Sequence, residues 1–485
     1  MALLIWHGVI PRDFPWLPLT TLQHGFADQY FIYHVALAPF LAVFGPLYGM
    51  HVGTAVFSGC AVAAFTWFLQ SRGVSNAWFW GGLLVLTPGF LFRIGLPKAI
   101  GFSVAMLFVG LWLMQRGRSR SLFFWAWAYV WAYGAWPLLA VACAAELSGR
   151  LLWHWLSEGE RTSNTTLREL WAWREARNLQ VVLAGNALGV LLNPYFPGNL
   201  RFYWEQTVHI ALINYGKQVS VGGEWAPLGW WELVAKAWPI FAVILVALAL
   251  AGARQLTRVG LSASRSLEAP NSCMLSLSAL ALLFMVLAMK SRRNVEYFAP
   301  LGLAASALFW QYLFGDVEAL SERCSKGAAR FVRSALLTAA LLAAAAWGGA
   351  REVAQSLRGG MPWTAYEKVS TWLRNNTPPR ALVVHANWAD FPSLFLHNDS
   401  NTYVAGLDAT FLFREDKKLY REWIALVEGR TQQSVAGLLT NRFHARYALA
   451  TKGERRYLEL LRRSEGLRCV YSDSEAEVYE VIGRR

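Results

Sequence analysis

Charge is what this chain has least of. Only 16% of its 485 residues are Asp, Glu, Lys or Arg, against 55% hydrophobic; a soluble chain carries about a quarter charged residues. The apolar residues come in long uncharged blocks, such as 331–350, interrupted only by Arg333. A buried core does not need so many runs of bilayer length. This scarcity excludes an ordinary soluble enzyme, a secreted disulfide scaffold and a disordered chain, and leaves a multi-spanning membrane protein. Cysteine is scarce as well. The five cysteines, Cys60, Cys143, Cys273, Cys324 and Cys469, stand far apart with no Cys-x-x-Cys and no Cys/His cluster, which argues against a disulfide framework or a thiolate metal site. Also missing are the phosphate-loop pattern Gly-x-x-x-x-Gly-Lys-Ser/Thr, the His-Glu-x-x-His zinc motif and Gly-x-Ser-x-Gly, so an internal ATPase, a zinc protease and a serine hydrolase lack support.

The charge that is present leans positive, with a net +14. In a soluble protein that balance would suggest nucleic acid. Here the positives sit largely in short loops between apolar runs, the signature of membrane orientation, so no nucleic-acid partner is expected. Apolar runs near 50–69, 76–92, 99–115, 122–135, 136–155, 179–193, 233–252, 274–290, 296–314 and 331–350 give about ten spans. Some are short for the hydrocarbon thickness, so tilted or partly buried helices are expected.

The basic loops set the orientation. Arg116, Arg118 and Arg120, then Arg150 to Arg177, then Arg254, Arg258 and Arg265, then Arg323, Lys326, Arg330 and Arg333 all fall on one side when spans are counted. That side is cytoplasmic by the positive-inside rule. Residues 1–49, the 193–232 loop, the 290–296 turn and everything after Ala350 then lie outside. The expected fold is mainly α: a first outer region at 1–49 with a membrane-surface helix, a polytopic helical membrane domain at 50–350, and a small α/β domain at 351–485. The protein is expected in the cytoplasmic (inner) membrane with its C-terminal domain extracytoplasmic. In the tail, Ala381–His385 and Thr402–Gly406 read as strands. Tyr366–Asn375, Lys417–Gly429, Val435–Leu439 and Glu454–Arg463 read as helices.

Four outward groups of polar residues stand next to apolar runs, where they are costly to hold. Asp13 and Asp28 are candidates for a general base or a cation ligand, with His34 nearby in sequence; the plain alternative is solvated carboxylates in an aromatic belt. Arg93 and Lys98 occupy a very short outer turn against the usual charge bias, either snorkelling to lipid or clamping a phosphate. Lys290, Arg292 and Arg293 crowd another outer turn, with Glu296 and Tyr297 just beyond; an anionic ligand or a local ion pair would account for them. The long 193–232 loop carries Glu205, His209, Lys217 and Glu224, and an amphipathic helix near Leu200–Ile213 is placed to cover a cleft at lipid level.

An outward active face, outward cations and an outside tail together resemble the GT-C superfamily of polyprenyl-phosphate-sugar-dependent glycosyltransferases. That class includes protein mannosyltransferases, aminoarabinose transferases and oligosaccharyltransferase catalytic subunits. Asp28–Gly45 is similar to the helix those proteins lay along the outer membrane surface, and Leu47–Gln70 to their second span. Asn387-Trp388-Ala389-Asp390-Phe391-Pro392 shares a Trp-x-Asp-aromatic core with the oligosaccharyltransferase Trp-Trp-Asp-Tyr-Gly motif, which implies that Trp388 and Asp390 help to hold an acceptor. The plain reading of the same residues is a tryptophan packing a turn beside a capping Asp.

The resemblance implies transfer of a sugar from a polyprenyl-phosphate-linked donor to a glycan, lipid or protein acceptor. A carboxylate activates the acceptor, and Arg or Lys stabilises the departing phosphate. Some members bind a divalent cation through the same carboxylates, and oxygen ligands suit Mg or Mn. One departure stands out: the family's first span and earliest acidic motif would lie upstream of Met1. Either Asp13 and Asp28 are secondary members of the site, or the chain starts downstream of its true first methionine. Two other readings stay open. A transporter or flippase would show inverted repeats and midplane charges; no clear repeat is visible, and the runs are nearly free of acidic residues apart from Glu146. A non-catalytic assembly protein with a GT-C-like body would account for the missing motif.

Overall fold

The computed structural model describes residues 1–158, 172–213, 215–216, 218–220, 222–258, 272–314, 343, 347 and 349–482. The 331–350 run, the basic loops at 159–171 and 259–271, the cluster from Arg323 to Arg333, Lys217 and Cys324 lie wholly or mostly outside those residues. The chain divides into two compact bodies. The first comprises Met1–Val9, Gln29–Pro194 and Ala226–Gly360; the second comprises Ile10–Asp28, Tyr195–Trp225 and Met361–Arg485.

The first body is helical because its sequence offers unbroken apolar runs whose backbone groups must be satisfied without water. Helices lie over each of the first nine apolar runs. Among the described residues, two are long and apolar enough to cross a membrane, Phe31–Ser71 and Ser272–Lys290. Two further pairs qualify jointly but are bent: Ala77–Val85 with Pro88–Gly95 by 73°, and Trp230–Lys236 with Trp238–Gly252 by 87°. Pro88 explains the first bend, since it cannot continue the preceding hydrogen-bond ladder. These apolar helices mark the chain as an integral membrane protein.

The 41-residue stretch Phe31–Ser71 is two helices across a kink at Gly45, whose φ of 77° and ψ of 167° are non-helical. A left-handed φ there, followed by Pro46, is open to glycine at little steric cost. So the helix similar to the surface helix and the one similar to the second span meet at the residue where the sequence permits a break. Close packing of helices elsewhere uses absent side chains. A Cβ on Gly185 would stand 2.4 Å from the Phe123 carbonyl oxygen, and one on Gly189 2.8 Å from that of Trp127. This small-x-x-x-small spacing lets Arg174–Leu191 lie against Ser119–Ala132, as membrane helices pack by close approach. The Trp131 indole donates to the Gly189 carbonyl at 2.7 Å.

The second body is an α/β unit around a five-stranded sheet. Its strands are β1 (Leu382–His385), β2 (Thr402–Tyr403), β3 (Tyr447–Thr451), β4 (Leu467–Ser472) and β5 (Ala476–Val481). Their order is β2-β1-β3-β5-β4. β1 pairs in parallel with β2 and β3, while β5 runs antiparallel to β3 and β4. Burial of β1 on all four residues matches a central strand covered on both faces. The core closes with hydrogen bonds as well as apolar contact. The Trp423 indole donates to the His385 carbonyl at 2.9 Å, and the Tyr457 hydroxyl to that of Val384 at 3.1 Å. The N-terminal strap joins this body: the Tyr403 amide donates to the Trp16 carbonyl at 2.8 Å, and Phe14 packs edge-on to Phe391.

Candidate functional site

Each body gathers polar residues. In the first, the helix Pro88–Gly95 ends with Arg93 and the helix Val295–Phe314 begins with Glu296. A carboxylate in a first helical turn is favoured by the helix dipole. Arg93 Nε and Nη2 both donate to Glu296 Oε2, at 2.9 and 2.7 Å. The Tyr133 hydroxyl donates to Glu296 Oε1 at 3.3 Å. Both charged side chains are almost fully buried, at 7% and 2% exposed. Arg293 and Arg93 both act electrostatically on the Tyr133 phenol. Beneath this group, Ser103 Oγ bridges the hydroxyls of Tyr129 and Tyr297, at 2.9 and 2.8 Å.

Arg292 is disposed differently. It is partly exposed, its backbone amide donates to the Ala226 carbonyl, and its guanidinium stands 4.0 Å from Glu232. Lys290 and Lys98 are exposed at their helix margins. Arg93 therefore commits its guanidinium to Glu296 inside the body, while Lys98 on the same turn faces outward. His34 is half-buried, its ring edge-on to Tyr30 at 6.1 Å between centroids.

In the second body, Asp13 is exposed and Asp28 is buried. Asp28 lies close enough to Tyr195 that its charge, after burial itself, raises the phenol well above its ordinary range, with Arg12 opposing. Glu205 is buried 3.8 Å from Arg414; burial raises its pKa while Arg414 and Arg201 pull it back. Glu224 is half-buried in the short helix Gly223–Trp225.

Trp388 and Asp390 occupy the turn Trp388–Asp390 directly after β1. The Trp388 indole donates to the Ser220 carbonyl at 2.8 Å, so this tryptophan fastens the 218–222 segment to the sheet edge. Asp390 accepts from the Tyr366 hydroxyl at 3.2 Å. Burial, with Glu454 nearby, pushes its carboxyl up to about 7. The turn with Asp390 follows β1 and the turn with Glu454 follows β3, two neighbouring parallel strands at the point where the strand order reverses, the usual place for ligands in such sheets.

The structure thus joins Arg93 to Glu296, Arg292 to Glu232, Glu205 to Arg414, and Asp390 to Tyr366. Tyr133, Ser103, Tyr129, Glu232, Tyr366 and Glu454 were not expected from the sequence. A tyrosine inside an apolar run looks like any belt aromatic, and no local pattern marks it. Among the described residues, no group of three or more His, Cys, Asp or Glu side chains is placed to hold a metal ion, so the oxygen-ligand set suited to Mg or Mn is not assembled there.

No protein-family model matches this chain, and no curated protein matches it. Among solved structures it is similar to the crystal structure of ArnT from Cupriavidus metallidurans in the apo state, with 12% identity and a TM-score of 0.36 over 96% of this chain and 91% of that one. At that identity and score the likeness by itself decides neither fold detail nor function.

Proposed function

We propose that this protein is a membrane glycosyltransferase of the GT-C class, moving a sugar from a polyprenyl-phosphate-linked donor to an acceptor outside the cytoplasm. The observation that carries this reading is the buried Arg93–Glu296–Tyr133 group with Arg293 beside it. A buried ion pair at the ends of apolar helices, with its hydrogen bonds satisfied, is costly to build and is a functional-site candidate. In this reading Glu296 fixes Arg93 as a rigid positive wall, and Arg292, Arg293 and Lys290 meet the phosphate. Arg supplies bidentate bonds and Lys a point charge. The nucleophile is the acceptor hydroxyl, and a carboxylate, for which the sequence offers Asp28, removes its proton as the oxygen attacks the anomeric carbon. The bond from that carbon to the phosphate oxygen breaks, and the phosphate leaves with its negative charge held by the cations. The ten-span topology with the second body extracytoplasmic is part of the proposal.

The test is transfer of labelled sugar from a polyprenyl-phosphate sugar by purified protein in lipid, using a membrane extract as acceptor source. Asp28→Asn is expected to lower turnover about a hundredfold or more, the usual scale of a general base, with donor binding retained. Undiminished turnover in folded Asp28→Asn removes Asp28 from this role. No transfer by the wild-type protein with any polyprenyl-phosphate sugar contradicts the proposal as a whole.

A further inference from the structure

Within the first body, the helices Phe31–Ser71 and Ile100–Gln115 run side by side in the same direction. Phe65 packs on Phe108 and Trp67 on Trp112, with ring centroids 5.3 and 4.3 Å apart. Their last residues, Ser71 and Gln115, therefore stand at one level. The first helix is long and apolar enough to cross a membrane, and the second is a shorter apolar helix. Where their apolar sequence stops, basic sequence starts: Arg72 caps the first helix, and Arg116, Arg118 and Arg120 follow the second. An apolar span is matched to the hydrocarbon thickness, so the level at which both helices end is the headgroup layer on that side.

Arg116, Arg118 and Arg120 are exposed, and among the described residues none of them is ion-paired with a carboxylate. The acids at this end serve Arg174 instead: Glu146 and Glu175 stand 3.5 and 3.3 Å from its guanidinium. Helix electrostatics do not account for the three arginines either. A cation is favoured at a helix C-terminus, which suits Arg116, but disfavoured at an N-terminus. Arg118 caps the start of the helix Ser119–Ala132 and Arg120 lies in its first turn, with no acidic residue there. Two of the guanidinium groups are held in place. Those of Arg116 and Arg118 lie 5.9 and 5.7 Å from the centroid of the Trp112 ring, within range of cation–π attraction. Trp67, on the same indole, is 40% exposed. Membrane orientation alone calls for positive charge at this end, but not for two arginines sharing one tryptophan beside a second, exposed one. Guanidinium forks held this way match phosphate oxygens, and an exposed indole beside them suits the boundary where one end is apolar and the other wet.

We propose that Arg116, Arg118, Trp112 and Trp67 bind one anionic phospholipid, its phosphate on the two guanidinium groups and the top of its acyl chain against Trp67. Basic clusters at the ends of membrane helices recognise anionic headgroups in this way. This rests on the membrane character of the two apolar helices and not on glycosyl transfer.

The experiment titrates the purified full chain, in non-ionic detergent, with phosphatidylglycerol and separately with phosphatidylcholine. Native mass spectrometry counts the bound lipid, and the melting temperature checks folding. Phosphatidylglycerol is expected to bind saturably and more tightly than phosphatidylcholine. Arg116→Gln/Arg118→Gln is expected to weaken phosphatidylglycerol about tenfold and to abolish the preference, while Trp67→Leu weakens both lipids. Arg455→Gln/Arg456→Gln removes the same charge from exposed positions of the second body and is expected to leave the preference intact. If the double variant at 116 and 118 fails to fold, Arg118→Gln alone is expected to give a smaller loss of the same sign. Unchanged phosphatidylglycerol affinity in the folded variant overturns the proposal. An equal loss in the Arg455/Arg456 control also overturns it, because net charge and not this site then binds the lipid. Displacement of the lipid by inorganic phosphate at equal concentration overturns the assignment to a phospholipid. Transfer activity is not part of the readout, so failure here is separate from failure of the proposed reaction.

Discussion

The two bodies bury carboxylates under opposite conditions. In the first body, Glu296 is held by two guanidinium hydrogen bonds and a phenol. In the second, Asp390 is as deeply buried but has only the Tyr366 hydroxyl, with another carboxylate nearby. Water can reach the margins of the second body, and a proton can move on and off. Inside an apolar bundle, an unpaired charge has no such relief. The partner, more than the depth, decides whether a buried carboxylate stays charged. The second body contains its own contrast. Glu477 is buried like Asp390, yet hydrogen bonds from Arg462 and Lys452 hold its carboxyl down to about 2.

Breaking the pair in the first body has the largest expected effect. Either Arg93→Gln or Glu296→Gln leaves one buried charge without its partner and costs about 3–5 kcal/mol. Thermal unfolding of purified variants in detergent measures it. Replacing both with apolar residues, Arg93→Met with Glu296→Leu, is expected to recover most of that loss, because no charge is left buried. A double variant as unstable as either single one would show that the pair is not the source of the cost.

Asp390 sharpens the comparison through pH. Its carboxyl titrates at about 7 in the folded body against 3.8 unfolded. The folded state therefore holds the proton more tightly, and stability falls as pH rises from about 4 to about 7, then levels off. The span is worth up to about 4 kcal/mol, at 1.36 kcal/mol per pH unit. Asp390→Asn is neutral throughout and is expected to flatten this slope and raise stability at pH 8. Chemical unfolding followed by the second body's signals at pH 5 and pH 8 checks it; a slope unchanged in the variant assigns the pH dependence elsewhere. The smallest effect is a capping one. Asp416 Oδ1 accepts from the amides of Lys418 and Leu419 at the start of Lys417–Val427. Asp416→Ala is expected to cost about 1 kcal/mol in the same unfolding assay, and no cost would mean that the exposed cap is replaced by water.

Much of the helical layout was legible because it depends on long apolar runs. The break at Gly45 falls where the resemblance ended one helix and began the next at Leu47; glycine followed by proline is its physical cause. In the tail, Leu382–His385 and the helices at Glu367–Asn376 and Lys417–Val427 fall where the sequence placed them, since a central strand and amphipathic helices write their period locally. β4 was not read: it is largely exposed, with burial alternating weakly, so no apolar period marks it. The Arg93–Glu296 pair was beyond sequence reasoning for a different reason. Its partners are 203 residues apart, and Glu296 stands one turn from Arg293, which made the local pairing the natural inference. Nor does the sequence reveal that 10–28 and 195–225 belong with the tail, because no composition change marks their joining.

The most direct measurement of the central claim is binding of a polyprenyl phosphate to folded, purified protein and to the Arg292→Gln/Arg293→Gln variant, with melting temperature as the check on folding. Saturable binding by the wild type is expected, with at least a tenfold weaker affinity in the variant, about 1.4 kcal/mol or more, at an unchanged melting temperature. Equal affinity in the two folded proteins would contradict the phosphate role of this turn and leave its cations as structural ion pairs.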